Sequence, residues 1–288
     1  MNKHKVWFIT GASSGFGRIL AQSVLSRGDC AVLTARRLAP LEEIAGEYGA
    51  RALCLSLDVT DAVARKKALQ AAIDQFGRID VLANIAGAGS YGALEEFSSE
   101  QIRAQMELNF FAPAELSREV LPLMRAQQSG HILNLTSIAG MVAFPGSGLY
   151  CASKFALEGF TEALHHEVKP LGIRVTLIEP GAFRTGFAGS ALTKAANEIP
   201  AYVSLTGGMS EYFTTQDGRQ MGDPEKGVRV IIDAVESETP PVRLLLGEDA
   251  YEMWDAVVES RDRDFAPWRE LGMSTSFADA VKNTAQVL

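Results

Sequence analysis

Short apolar runs rich in β-branched residues recur along the chain at 6–10, 31–35, 52–57, 79–83, 131–135, 173–178 and 242–246. Runs of this length suit strands buried on both faces. Longer segments with helical spacing separate them. In 98–125, Ser98 and Gln101 have the spacing of a capping box, and Ile102, Met106 and Phe110 share one face. Strands alternating with helices predict βαβ units. The expected fold class is therefore α/β: a doubly wound, seven-stranded parallel sheet with helices on both faces.

Two segments depart from the alternation. Residues 183–221 are rich in Gly, Ser and Thr with a few aromatics, and read as a partly helical lid inserted before the last βα unit. Residues 247–288 form a C-terminal extension. It reads as helical over 251–258, which carries Trp254, and Phe265 and Trp268 follow; the stretch is expected to cover the pocket or to meet a second subunit.

Composition narrows the class. The chain has 288 residues, 47% hydrophobic and 22% charged, which fits one large globular domain and excludes a disordered chain or a fibre. Twenty-seven Lys and Arg against 35 Asp and Glu give a net charge of −8, which argues against broad binding to nucleic acid or anionic membrane. Cys30, Cys54 and Cys151 are odd in number and far apart, so neither a disulfide framework nor a metal site is expected, and a cytoplasmic location fits. The apolar stretch 6–9 is too short for the core of a signal peptide. The longest stretch without Asp, Glu, Lys or Arg, 126–153, is broken by Gln127, Gln128, Asn134, Pro145 and glycines, so no membrane helix is expected.

The first strand runs into Thr10-Gly11-Ala12-Ser13-Ser14-Gly15-Phe16-Gly17, with a helix expected from Arg18. Gly11 permits the tight turn, Gly15 lets backbone approach a pyrophosphate, and Gly17 lets the helix pack on the sheet. Free N–H groups at a helix start attract an anion. The second strand ends in Ala35-Arg36-Arg37, where nucleotide folds usually carry a ribose-binding acid. A guanidinium there suits a 2′-phosphate, which favours NADP(H) over NAD(H), with Arg36 ahead of Arg37. Asp58, followed by Val59, is placed to meet the adenine, or to cap a helix starting near Thr60, or both.

Tyr150 and Lys154 lie one turn apart on a helix expected from Leu149, and Ser137 follows the fifth strand at the sheet's carboxyl edge, where doubly wound folds bind ligands. A phenol beside an ammonium group can act as a general acid and base, with its pKa lowered by that neighbour. Ser137 can hydrogen-bond a carbonyl or alkoxide oxygen. Asn109 sits in an expected helix four residues before Pro113, which has no N–H to offer its carbonyl.

These motifs, together with Asn84-Ile85-Ala86-Gly87 and Pro180-Gly181 followed by Thr185, resemble the short-chain dehydrogenase/reductase family in order and spacing over residues 5–246. The resemblance implies a single Rossmann-type domain over 1–288, with Asn109, Ser137, Tyr150 and Lys154 as catalytic residues. It implies cofactor contacts from Gly11, Ser13, Ser14, Gly15, Phe16, Gly17, Arg36, Arg37, Asp58, Val59, Asn84, Ala86, Gly87, Tyr150, Lys154, Pro180, Gly181, Phe183 and Thr185. Lys154 would hold the nicotinamide ribose, Thr185 the carboxamide, and Asn109 would reach Lys154 through a water bound to its carbonyl. Transfer of the pro-S hydride is also implied. Ile85 departs from the family's usual second asparagine. Glu179, before Pro180-Gly181, is similar to the branch of 17β-hydroxysteroid and retinol dehydrogenases.

The expected activity is NADP(H)-dependent hydride transfer to an apolar ketone or aldehyde, or from the secondary alcohol. An NAD-linked dehydrogenase or a non-catalytic nucleotide sensor is the alternative. The apolar wall is expected from Tyr91, Met141, Phe144, Phe187 and Tyr202. His165 and His166 are read as surface or interface residues. A homodimer or homotetramer is expected, with no nucleic-acid or membrane partner.

Overall fold

The computed structural model describes residues 4–189 and 191–277. Its strands are β1 (Val6–Thr10), β2 (Cys30–Ala35), β3 (Ala52–Ser56), β4 (Val81–Asn84), β5 (Gly89–Tyr91), β6 (Gly130–Leu135), β7 (Ile173–Pro180), β8 (Leu192–Lys194) and β9 (Arg243–Leu246). The α-helices are α1 (Gly15–Ser26), α2 (Ala39–Ala45), α3 (Ala62–Phe76), α4 (Ser99–Met106), α5 (Ala112–Gln127), α6 (Gly148–Val168), α7 (Val203–Gln216), α8 (Pro224–Glu236), α9 (Glu248–Phe265) and α10 (Arg269–Met273). Seven strands form one parallel sheet in the order β3-β2-β1-β4-β6-β7-β9, and β5 pairs with β8 in a separate small sheet. This is the doubly wound Rossmann-type architecture expected from the strand pattern.

Every residue of β1 is buried, and its alternating side chains feed two cores. Trp7 and Ile9 pack with Leu20, Leu25 and Leu33 against α1 and α8. Phe8 packs with Leu82, Leu116, Met124 and Ile132 against α3, α5 and α6. Most boundaries fall where the apolar runs put them. β4 starts later than expected, because Ile79, though fully buried, has its N–H and C=O bonded by the Gln127 side chain instead of a neighbouring strand.

Three local departures from expectation matter for the site. Helix α1 begins at Gly15 rather than Arg18, so Gly15 and Gly17 lie in its first turn, where backbone N–H groups have no helical partner. The cap of α3 is Asp61, which accepts from the N–H groups of Val63 and Ala64, while Asp58 bonds the Thr60 N–H and hydroxyl. The expected helix at 98–125 is broken by a π turn at Glu107–Phe111, followed by Pro113 near the start of α5. A residue without an N–H removes one α-helical bond there, and the chain takes the wider turn.

Residues 183–221 are partly helical, with α7 as the main element. The segment is tied down at one point by Glu96, whose carboxylate accepts from the N–H groups of Ala93 and Ile199, and whose carbonyl accepts from the Asn197 N–H and side-chain amide. Among the described residues, no helix is long and apolar enough to cross a membrane.

Candidate active site

Strand β1 delivers the chain into the glycine turn at the carboxyl edge of the sheet. A Cβ on Gly17 would lie 2.3 Å from the Gly11 carbonyl oxygen, and one on Gly11 would lie 2.9 Å from the Ala86 Cα. Gly11 also has φ +68°. Neither position admits another residue without backbone movement. The Ser14 side chain makes no capping bond, so the first-turn N–H groups of α1 stay available to an anion. The turn therefore fits a dinucleotide pyrophosphate. The Thr10 hydroxyl binds the N–H groups of Ile85 and Ala86, which fixes the second turn beside the first.

Arg36 and Arg37 are exposed just past the end of β2. Asp58 is exposed past the end of β3; its Thr60 hydrogen bonds, with a smaller contribution from Arg36, hold its carboxyl below the usual range. Val59 is buried beside it. Asn84 is buried, and its amide donates to Asn134 at 2.8 Å, with longer bonds to the Pro113 carbonyl and Ser117. Its side chain thus links β4, β6 and α5.

Most of the remaining residues converge on a cavity of about 420 Å³, though Ser13, Ala86 and Asn109 do not line it. Phe16, Gly87, Ser137, Tyr150, Lys154, Pro180, Gly181, Phe183 and Thr185 all line it. Phe16 and Phe183 stack with centroids 5.0 Å apart, and Thr185 packs against Gly15, closing the space between the glycine turn and the end of β7. The Ser137 hydroxyl lies 3.3 Å from the Pro180 carbonyl and accepts from the Ala139 N–H.

Helix α6 presents Tyr150 and Lys154 to the same space. The Lys154 ammonium lies 5.8 Å from the Tyr150 ring centroid and donates to the Leu135 carbonyl at 2.8 Å. Burial pushes Lys154 down to about 8, with the Glu158 charge opposing it. Burial raises the Tyr150 phenol above its ordinary value, and a hydrogen bond with Ser137 pulls the other way. In the free site the phenol is therefore less acidic than expected from the sequence, because desolvation outweighs the Ser137 hydrogen bond.

Asn109 sits in the π turn with its side chain turned inward. Its Oδ1 accepts from the Ala88 N–H, and its amide donates to the Ala88 carbonyl and to Ser153. It holds the loop after β4 against α6, beside Gly87 and Lys154.

The apolar wall differs in part from expectation. Phe144 and Phe187 line the cavity, and the Phe187 ring lies 5.7 Å from that of Tyr150. Tyr91, Met141 and Tyr202 do not line it. Tyr91 stacks on Phe213, Met141 is buried with Ile138 and Ala250, and the Tyr202 hydroxyl donates to Glu95 on the surface. Instead, α7 supplies Met209, Tyr212 and Phe213, and α9 supplies Met253 and Asp249. Asp249 accepts from the Ala182 N–H at 2.7 Å. Met209 and Phe213 share helical spacing in the sequence, a signal that could have marked them; Asp249 carries none.

A family profile described as short chain dehydrogenase matches residues 5–196. The chain belongs to the short-chain dehydrogenase family. It is 34% identical over 273 residues to "Oxidoreductase BOA17" of Botryotinia fuckeliana, covering 94% of this chain and 99% of the relative. It is 39% identical over 247 residues to a 3-ketodihydrosphingosine reductase of Bacteroides thetaiotaomicron, covering 84% and 88%. Its fold matches a short-chain dehydrogenase structure from Streptomyces avermitilis with a TM-score of 0.88 at 39% identity, over 96% of this chain and all of that one. A Burkholderia phymatum structure in complex with NAD matches at 0.79 and 26% identity over 92% and 95% of the two chains. A metagenomic short-chain oxidoreductase in complex with NADP matches at 0.66 and 26%, over 84% and 96%. This short-chain dehydrogenase is thus an oxidoreductase of a group whose members bind NAD or NADP.

Proposed function

We propose that the chain is an NADP(H)-dependent oxidoreductase that transfers hydride between the nicotinamide and an apolar ketone or aldehyde, or the corresponding secondary alcohol. The observation that carries this reading is the meeting of Tyr150, Ser137 and Lys154 at one cavity whose remaining wall is largely apolar and aromatic. The bound nicotinamide would supply or accept the hydride. Tyr150 gives a proton to the carbonyl oxygen in reduction and takes it from the alcohol in oxidation. Lys154 stabilises the phenolate by its charge. Ser137 donates to the same substrate oxygen as negative charge develops there. Phe144, Phe187, Met209 and Phe213 hold the apolar body of the substrate and exclude water.

A ketone substrate is supported by the Bacteroides relative, whose name specifies a keto compound. The preference for NADP(H) is supported by Arg36 and Arg37 at the end of β2. Ile102, Phe111 and Phe155, exposed on the outer helices, support a homodimer or homotetramer. Turnover of a panel of apolar ketones with NADPH tests the activity, and Tyr150→Phe tests the mechanism. The variant should lose roughly 10²–10⁴-fold in kcat while still binding the cofactor. A variant that turns over at the wild-type rate refutes the assignment.

A further inference from the structure

A buried charge cluster lies behind the catalytic helix, and the hydride transfer described above does not use it. Glu158 follows Lys154 by one turn of α6, and Glu179 stands near the end of β7, just before Pro180-Gly181. They are 5% and 0% exposed. Both reach one guanidinium nitrogen: Arg243 Nη1 is 2.5 Å from Glu158 Oε2 and 2.7 Å from Glu179 Oε1. The other nitrogen, Nη2, lies 2.8 Å from the half-buried Glu162. That leaves Glu158 Oε1 and Glu179 Oε2, both buried and without a donor among the described residues. The two carboxyl groups meet at that single nitrogen, each with its second oxygen unpartnered. Two facing acceptors in a dry site repel unless a proton lies between them.

We propose that Glu158 and Glu179 share one proton, carried by Glu179, and that the negative charge left on Glu158 sets how firmly Lys154 holds its own proton. The assignment follows from placement. Both glutamates share Arg243, but Glu158 also lies one turn from the Lys154 ammonium, whereas Glu179 is fully buried with a second carboxylate at the same nitrogen. Burial and the Glu158 charge together raise Glu179 above the usual carboxylate range, although Arg243 opposes them. Glu162 on α6 also reaches Arg243. Arg261 on α9 donates to the Met141 carbonyl, and Asp249 on α9 binds the Ala182 N–H. His131 of β6 is bonded to Thr176 of β7 and kept neutral by burial. Glu158 and Glu179 are positioning residues: they touch neither substrate nor cofactor and act through Lys154.

The kinetic half of the proposal rests on the roles assigned to Tyr150 and Lys154; the shared proton does not. Infrared spectroscopy of the full chain, with glutamate labelled with ¹³C at the side-chain carboxyl, reads the proton directly. Near neutral pH the wild type should show the carbonyl stretch of a protonated carboxyl, which Glu179→Gln should remove. A wild-type spectrum without that band overturns the proposal whether or not the chain turns over a ketone. Glu158→Gln should move both limbs of the pH–rate profile to lower pH, by on the order of one unit, because losing a nearby negative charge eases deprotonation of lysine and tyrosine alike. Glu179→Gln should leave both limbs in place below the pH at which Glu179 ionises, since it replaces a neutral group. A Glu158→Gln variant slowed equally at every pH, with no shift, overturns the link to Lys154. If the band is present but Tyr150→Phe keeps full activity, the shared proton stands and the mechanism fails.

Discussion

Lys154 shows how one side chain can weaken the fold that it serves. It is 4% exposed, and its ammonium has the Leu135 carbonyl as its hydrogen-bond partner. Burial brings its pKa to about 8, against roughly 10.4 for a lysine in an unfolded chain. Between those values the unfolded state binds more protons, so stability rises with pH across that window. Below about 8 both states are protonated and the whole cost of burying the cation is present; it is relieved as the folded lysine releases its proton. The difference corresponds to about 3 kcal/mol, less about 1 kcal/mol for the hydrogen bond that a substitution would lose. Lys154→Met should therefore abolish turnover yet raise stability by about 2 kcal/mol near neutral pH, and the gain should shrink towards a pH of about 10. Urea denaturation at several pH values measures this. A methionine variant less stable than wild type at neutral pH would contradict the sign.

At the scale of elements, the lid segment is held from outside by the β5–β8 pairing, by Gln101 and by Glu96. Glu96 joins the loop after β5 to the middle of the 183–221 segment, just before α7, through the Ala93 and Ile199 N–H groups. Those bonds hold its carboxyl below the usual range. Glu96→Ala should free the approach to α7, which carries Met209 and Phe213, without touching Tyr150. The expected outcome is a KM for an apolar ketone raised several-fold with kcat little changed, because the lost contacts bind the substrate body and its transition state alike. Steady-state kinetics on ketones of increasing size would check it; a fall in kcat with KM unchanged would place Glu96 elsewhere in the mechanism. The central strands β1, β2 and β4 were legible because they are buried on both faces and read as short, largely apolar runs, whereas β5 and β8, three residues each, left no such run and were missed. The helix at 98–125 was only half legible: its apolar face is continuous, but the π turn is a property of backbone pairing around Pro113. The convergence of Tyr150, Lys154 and Ser137 on one cavity was legible because it follows from a short spacing and a strand end. Arg243 was not, because it meets Glu158 from 85 residues away, and no local pattern records which strand lies beside which helix.

For the whole molecule, nucleotide binding at the proposed site would be coupled to folding, since the glycine turn, the end of β2 and the end of β7 share the sheet's carboxyl edge only once the open sheet has assembled. A ligand at about one hundred times its Kd adds about 2.7 kcal/mol to stability, which in a chain of this size should raise Tm by roughly 5 °C. The two guanidinium groups past β2 are exposed, and under the proposed function they would pair with a 2′-phosphate. A charge-assisted bond there contributes about 1.5–3 kcal/mol. Arg36→Ala should therefore weaken NADPH by about tenfold or more and cut its thermal shift to about half at the same concentration. The shift from NADH, which lacks that phosphate, should not change. Thermal melts of wild type and variant with each nucleotide separate the cases without any need for a substrate. If the substitution weakens both nucleotides equally, Arg36 contributes general positive charge, and the NADP(H) preference must be given up. If only NADPH suffers, cofactor choice lies at the end of one strand, away from the tyrosine and lysine that handle the proton.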